Sequence, residues 1–327
     1  MMKTMHVKWL RLLVSAALLT GLSLFAGAQT RERVHEVSAF TSIDVRSAFE
    51  VTVAKGAYGV KLTVDTVLSD YVNVYVKGNT LYVSYDEKAV PKEVKKMYRG
   101  RNAPKAVLRA IIYTPVLEGI YMDDEASLTG ADTFEGANFT MELAGKANVK
   151  ALSLHTSSAK FLLKKNADAV VSIDCESEIN VTTENGSHLR LESRSRELNL
   201  SSSGSSQINS SSDVVSSFMV NTDGTSQISA GVNAAKVYVS STGSSKVTVT
   251  GTASGLIVKG ARSCNIDTMG LPVADAEAEM NSGTLLVSPE HSLTVDLTSG
   301  ASVYYNGTPE FRISRILKST LAPYGTK

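Results

Sequence analysis

The sequence predicts a single-stranded parallel β-helix, a β-solenoid, and three periodic features predict it. The first is a β-branched or aliphatic residue closing a short phrase at near-constant intervals. The phrases are Ser206-Gln207-Ile208, Ser226-Gln227-Ile228, Ser245-Lys246-Val247, Cys264-Asn265-Ile266, Gly283-Thr284-Leu285 and Ala301-Ser302-Val303, at steps of 20, 19, 19, 19 and 18 residues. Leu128, Val149, Val170 and Leu189 extend this series upstream. The second feature is a parallel series half a period away: Phe139, Phe161, Ile179, Leu198, Phe218, Val237, Ile257 and Leu293, with Ala276 a weak member. The third is Gly204, Gly224 and Gly243, recurring at steps of 20 and 19. A fixed period near 20 residues is the mark of stacked repeats, each unable to bury its apolar face alone.

Each element follows from this clock. Segments such as Lys236-Val237-Tyr238-Val239 and Asn138-Phe139-Thr140-Met141 alternate apolar with polar residues, the pattern of a strand with one buried face. Two short strands of four to six residues are expected per coil of 19–20 residues, the next coil adding its strands about 4.8 Å above. The glycines are expected at tight corners, where a Cβ would clash. The small residues two before each anchor, from Ser206 to Ala301, suit a narrow interior. A Ser/Gly linker over 201–212 would not keep aliphatic residues on such a clock. The winding is expected to be right-handed, as parallel crossovers are.

The segment 29–118 has longer alternating strands, including Phe49-Glu50-Val51-Thr52-Val53 and Val60-Lys61-Leu62-Thr63-Val64, and reads as wider coils of the same winding. Regular coils are expected over 119–309, with 310–327 a tail or cap. The rhythm breaks at 86–105, where a short helix begins near Pro91. This basic insertion is expected to protrude or cap a face rather than join the core.

The first 28 residues read as a leader. Lys3, Lys8 and Arg11 form a basic start, Leu12 to Phe25 an apolar run, and Ala26-Gly27-Ala28 a small-x-small cleavage pattern. The run is interrupted by Ser15, Thr20, Gly21 and Ser23 and is short for a membrane span. Cleavage after Ala28 would take the formal charge from +1 to −2, because three basic residues and no acids leave. Export to the periplasm, outer-membrane surface or medium is the expectation. Charge so near zero excludes a nucleic-acid partner, which would demand a basic surplus. Two cysteines exclude a disulfide scaffold. At 89 residues apart they fall four to five coils from one another, too far for a disulfide. Both are expected free and facing inward.

Two clusters stand out as candidate binding residues. The insertion concentrates positive charge in Lys92, Lys95, Lys96, Arg99 and Arg101, with Lys88 and Lys105 beside them, which suits an anionic ligand such as an acidic glycan. Asp123, Asp124 and Glu125 form an acidic run, with Asp132 and Glu135 nearby. A solvated helix face and a solvated turn are the simpler readings of the two. Catalytic patterns are thin. Asn166-Ala167-Asp168 and Asn265-Ile266-Asp267 are a polygalacturonase-like fragment, but they lie about five coils apart and lack the histidine and basic partners of such a site. The histidines beyond the leader show no metal-ligand spacing, and no Gly-x-Ser-x-Gly elbow or phosphate loop sits before a helix. No cofactor or metal is expected.

At several positions the chain resembles a known family. Ala39-Phe40-Thr41-Ser42-Ile43-Asp44-Val45, Phe49 to Val53, Leu81-Tyr82-Val83, Tyr113-Thr114-Pro115-Val116-Leu117-Glu118-Gly119-Ile120 and Val303-Tyr304-Tyr305-Asn306-Gly307-Thr308-Pro309 are similar, in this order, to the bacterial head GIN domain proteins, the auto-transporter adhesins of the DUF2807 family. The resemblance spans about 40–309 and implies an exported β-helical protein with no assigned catalytic site. No tail long enough for a membrane barrel follows Pro309. Together these readings favour a non-catalytic binding protein of the cell envelope or surface, its partner a glycan or a surface protein. The alternatives are a carbohydrate-active β-helix enzyme and a purely structural envelope protein. Convergence of carboxylates with a basic residue in one groove is what would set the enzyme apart.

Overall fold

The computed structural model describes residues 30–325, so the leader reading lies outside the described residues. Parallel strands stack into a β-solenoid of about 11 turns. In order, the elements are β1 (Thr30–His35), β2 (Ser42–Val45), β3 (Glu50–Ala54), β4 (Gly59–Asp65), β5 (Val72–Lys77), β6 (Thr80–Tyr85), helix α1 (Lys92–Met97), β7 (Leu108–Tyr113) and β8 (Gly119–Met122). The regular coils follow as β9 (Ser127–Leu143), β10 (Asn148–Leu163), β11 (Asp168–Thr183), β12 (His188–Ser202), β13 (Gln207–Thr222), β14 (Gln227–Ser241), β15 (Lys246–Ala261), β16 (Asn265–Asn281) and β17 (Thr284–Thr298). The chain closes with β18 (Ser302–Tyr305), β19 (Glu310–Ile316) and β20 (Thr320–Pro323).

The expected pair of short strands per coil is realised as one strand of 15–17 residues that bends at its middle. The bend shows as a break in the ladder, for example between Asp174 and Glu178 or between Asp213 and Ser217. Each coil thus contributes to two ladders, one before the bend and one after it. A second corner, a short turn, leads into the next coil.

The first apolar column is continuous. Ile208, Ile228, Val247, Ile266, Leu285 and Val303 are direct register partners from coil to coil, and none exceeds 2% exposure. Leu128, Val149 and Leu189 belong to it, but Ala169 rather than Val170 holds the β11 position, and Val170 is 42% exposed. In the second column Phe139, Ala159, Ile179, Leu198, Phe218, Val237, Leu256, Ala276 and Leu293 are in register. Ile257 faces outward beside Leu256, and Phe161 stacks in the neighbouring inward column with Met141 and Val181. The slips at Val170 and Ile257 come from adjacent apolar residues, where period-2 alternation admits either parity, whereas Phe161 shares a face with Ala159 two residues before it.

The corners obey backbone sterics. Gly204, Gly224 and Gly243 have φ of 71°, 73° and 74°. A Cβ on Gly224 would stand 2.7 Å from the Gly204 carbonyl oxygen, and one on Gly243 would stand 2.5 Å from that of Gly224. Just inside the corners sits a small buried residue, Ala126, Ala147, Ala167, Ser187, Ser206, Ser226, Ser245, Cys264 or Ala301, with half-exposed Gly283 the exception before β17. The serines donate to the carbonyl three residues back, at 2.8, 3.0, 2.7 and 2.6 Å, so a buried hydroxyl closes the turn it borders. Cys264 is thus a corner residue. Cys175 lies at the bend, its thiol directed at the carbonyls of Ser157 and Glu178. Both cysteines are free and buried, and burial pushes both thiols up from their ordinary pKa.

The N-terminal part joins the same ladders but is not wound in sequence order. β2 lies between β6 and β8, and β3 lies between β7 and β9. The β2–β3 coil is therefore enclosed between the β6–β7 coil and the β8–β9 coil. Antiparallel β4 and β1 then cover β7, while β5 pairs antiparallel with β6. At the other end Phe311, Ile313 and Ile316 of β19 are in register with the buried Leu293, Val295 and Leu297, yet are 39%, 56% and 40% exposed. Among the described residues no further strand pairs with β19, and Phe311 meets only the Tyr305 ring, edge-on at 4.9 Å.

The insertion links β6 to β7 and caps the end of the stack. Val90, Val94 and Tyr98, spaced by four, turn toward the core, and Val90 is buried within it, which departs from the expectation that no part would join the core. The Tyr98 hydroxyl donates to Asp65 Oδ2 at 2.9 Å, and the Val107 amide donates to the same oxygen at 3.0 Å. Asp65 is 1% exposed and its other oxygen has no partner.

Three outcomes follow from this packing. Ile228→Asp buries an unpaired charge in the column and should cost more than about 4 kcal/mol in denaturant unfolding, or abolish soluble expression. Thiol labelling in denaturant without reductant should modify both cysteines of each chain; a Cys175–Cys264 bridge found by mass spectrometry would contradict the coil count. Tyr98→Phe should lower stability by about 1–3 kcal/mol, because a buried carboxylate loses a donor. Burial, and then Asp65, push the Tyr98 hydroxyl from 10.0 up to about 12. A raised folded value means its contribution is whole below pH 10 and disappears as pH rises through about 12. An ultraviolet tyrosine titration should show its latest group near pH 12, and the Phe variant should lose that group.

Candidate functional site

The two clusters anticipated from sequence lie on one edge of the solenoid, the edge of turns that lead from the second ladder into the first. The insertion forms that edge between β6 and β7, and Asp123-Asp124-Glu125 forms it between β8 and β9. Lys92 and Lys96 of α1 and Arg99 and Arg101 just after it are exposed, and Lys95 is half-buried. The acidic residues do not converge. Asp123 Oδ1 accepts its neighbour's amide at 2.8 Å, and Asp124 makes the corner with φ of 61°. Glu125 accepts from Lys146 Nζ at 2.9 Å; that bond and charge hold its carboxyl below the usual range, and Lys105 of the insertion adds to the effect. Asp132 and Glu135 sit at the opposite edge, where they accept from the Lys55 amide and ammonium at 2.7 and 3.1 Å. Among the described residues no group of three His, Cys, Asp or Glu is arranged to hold a metal ion.

A concavity lies away from both clusters, at the bends of β11 to β15. It has a volume of about 550 Å³. Its polar lining includes Asp174, Glu192, Arg194, Ser211, Asp213 and Asn233, and Gly231 leaves it open where a side chain would fill it. Coil stacking makes this groove. Asp174, Arg194, Asp213, Asn233 and Thr252 are successive register partners, so one outward column carries anion, cation, anion, amide and hydroxyl. Asn233 Nδ2 donates to Asp213 Oδ1 at 2.9 Å, and Thr252 Oγ1 donates to Asn233 Oδ1 at 2.9 Å. Glu135 and His155 precede Asp174 in the column, with His155 3.7 Å from Asp174.

Sequence reasoning missed this groove, although a signal was present. His155, Asp174, Arg194, Asp213, Asn233 and Thr252 follow one another at steps of 19, 20, 19, 20 and 19. The polar residues keep the same clock as the core. An acid cluster and a basic residue therefore do share a groove. Its carboxylates, Asp174, Glu192 and Asp213, are all exposed, whereas a catalytic acid is held protonated by burial or by a close like charge. The two Asn-x-Asp fragments stay apart, on β11 and β16, and Asp168 of the first is engaged with His188 at 3.0 Å.

A smaller cavity of about 220 Å³ lies back at the corner edge, lined by Asp44, Arg46, Tyr121, Asp123, Glu142 and Lys164 among others. It gathers Asp123 from the sequence-predicted set and none of the insertion's basic residues. Arg46 donates through Nε and Nη2 to the two oxygens of Asp44, at 2.9 and 3.0 Å, which raises the guanidinium pKa further. Burial, and then Glu142 and Asp44, raise the Tyr121 hydroxyl above its ordinary value.

Among the described residues no helix is long and apolar enough to cross a membrane. No curated protein matches the chain. Solved structures similar to it include one titled as a "putative adhesin" from Parabacteroides merdae, with 13% identity, 91% of this chain and 97% of that one covered, and a TM-score of 0.43. Another "putative adhesin", from Bacteroides fragilis, has 15% identity, coverage of 91% and 98%, and a TM-score of 0.31. A "putative lipid binding protein" from Parabacteroides distasonis has 15% identity, coverage of 91% and 97%, and a TM-score of 0.32. A family model matches residues 39–215 and 211–309, nearly all of the solenoid. The chain belongs to the family described as "Putative auto-transporter adhesin, head GIN domain".

Proposed function

We propose that this is an exported, non-catalytic binding protein of the cell envelope or surface, and that it holds glycans in the groove across β11 to β15. The groove itself carries the reading. It runs over several coils, as a chain-like ligand requires, and its column alternates acceptors with donors. Carboxylates accept from paired sugar hydroxyls, while Arg194 and Asn233 can donate to ring and hydroxyl oxygens. The adhesin description of the family and the leader pattern of the first 28 residues support export and surface binding. The polar lining disfavours the acyl chains that a lipid-binding role would bring.

A second reading, a carbohydrate-active enzyme, draws on the same groove, because Asp174, Glu192 and Asp213 share it with Arg194. The exposure of these carboxylates favours binding over catalysis.

One screen separates the two. On a glycan array the protein should bind a subset of polysaccharides. Arg194→Ala and Asp213→Asn should each weaken binding about 10–100-fold, the loss of one charge-assisted hydrogen bond of about 1.5–3 kcal/mol. The same polysaccharides should yield no new reducing ends. Cleavage that disappears in Asp213→Asn would replace the binding reading with the enzyme.

A further inference from the structure

We propose a second saccharide site, for a single neutral pyranose ring, in the cavity beside Tyr121. It rests on the proposed glycan-binding function but lies on another edge of the solenoid and uses other residues. The interleaved winding builds it. Because β2 lies between β6 and β8, Tyr82, Asp44, Tyr121 and Glu142 become register partners in one outward column, although they come from four separate strands. Tyr75 extends the column: its ring stacks on Tyr82 at 5.1 Å with planes 11° apart, and the residue is 50% exposed.

The arrangement around Tyr121 fits a sugar ring. Two residues before it on the same side is Gly119, where a Cβ would stand 3.1 Å from Tyr121 Cε2 and 2.6 Å from Ser42 Oγ. The bare backbone lets the Tyr121 ring lean over it. The cavity's 220 Å³ falls below the about 300–1,000 Å³ of drug-sized pockets, so it admits one small ring rather than an extended ligand. A pyranose presents an apolar C–H face and a rim of hydroxyls. A tyrosine ring offers apolar surface with a polar tip for the first, and carboxylates with a guanidinium suit the second. Asp44 engages Nε and Nη2 of Arg46, leaving Nη1 to point elsewhere. Asp123 spends Oδ1 on the Asp124 amide and retains Oδ2.

Charge decides the class of sugar. Asp44, Asp123 and Glu142 against Arg46 and Lys164 leave one net negative charge at the cavity, which disfavours uronic acids, sialic acids and phosphates.

Calorimetric titration of the protein with cellotetraose, mannotetraose and chitotetraose, with tetragalacturonate as the acidic comparison, tests the site. At least one neutral tetramer should show two classes of sites. Tyr121→Ala and Glu142→Gln should each weaken one class about 10-fold or more, while Tyr121→Phe, which keeps the ring, stays within about 3-fold. Arg194→Ala should affect only the other class. Thermal unfolding checks that each variant is folded; Glu142→Gln, at an exposed position, remains decisive if Tyr121→Ala is not. Neutral binding that Arg194→Ala weakens but Tyr121→Ala and Glu142→Gln leave unchanged would overturn this site and keep the groove. Stronger binding of tetragalacturonate at the Tyr121 class would overturn the charge argument. Absence of binding by every neutral tetramer would overturn this site, while the groove reading stands or falls on the polysaccharide array.

Discussion

Coil-to-coil register is the constraint on which everything else depends. A strand in this protein cannot satisfy its backbone alone or bury its apolar side alone; both are met only by an identical strand directly above and below. Once Leu189 stands over Ile208 and Ile208 over Ile228, every other position in the coil is committed. The inward columns are set, the corners must superpose, and outward residues line up in rows. Gly224 approaches Gly204, and Gly243 approaches Gly224, because the corners repeat at the coil spacing.

The same constraint explains the surface. Outward side chains in register form ladders whose chemistry is written one residue per coil. Short hydrogen bonds along them, such as Asn199 to Asn180 at 2.9 Å or Arg315 to Asp296 at 2.8 Å, are side effects of stacking. Exposed pairs of this kind add little stability. Their value lies in arrangement, since a groove that spans several coils arises without any loop being built for it.

How much was legible in the sequence follows from what keeps time. The first column and the glycine corners were legible because aliphatic residues and backbone sterics leave few substitutes. Val170 and Ile257 were misplaced by one residue because each has an apolar neighbour, and Phe161 by two because it is the larger apolar residue on the same face as Ala159. The groove was harder, since serine, aspartate and asparagine occur on every outward face and only their spacing marks a row. The cavity beside Tyr121 was not legible. Asp44 and Tyr121 meet because β2 is threaded between later strands, and no local pattern encodes that order. The basic insertion stood out by its charge, yet its apolar side and Tyr98 give it a structural role first.

The enclosed β2–β3 coil gives the molecule a mechanical polarity. From the C-terminal end, coils can be removed one at a time, each exposing a surface like the one before, as in a zipper. From the N-terminal end the first coil reached along the chain is held between two that come later, so freeing it breaks ladders on both of its sides at once. Force applied to the two ends therefore meets different resistance: gradual yielding at one and a single latch at the other. Folding carries the mirror image of this asymmetry, for the earliest strands must wait for later ones before either side of their coil is covered.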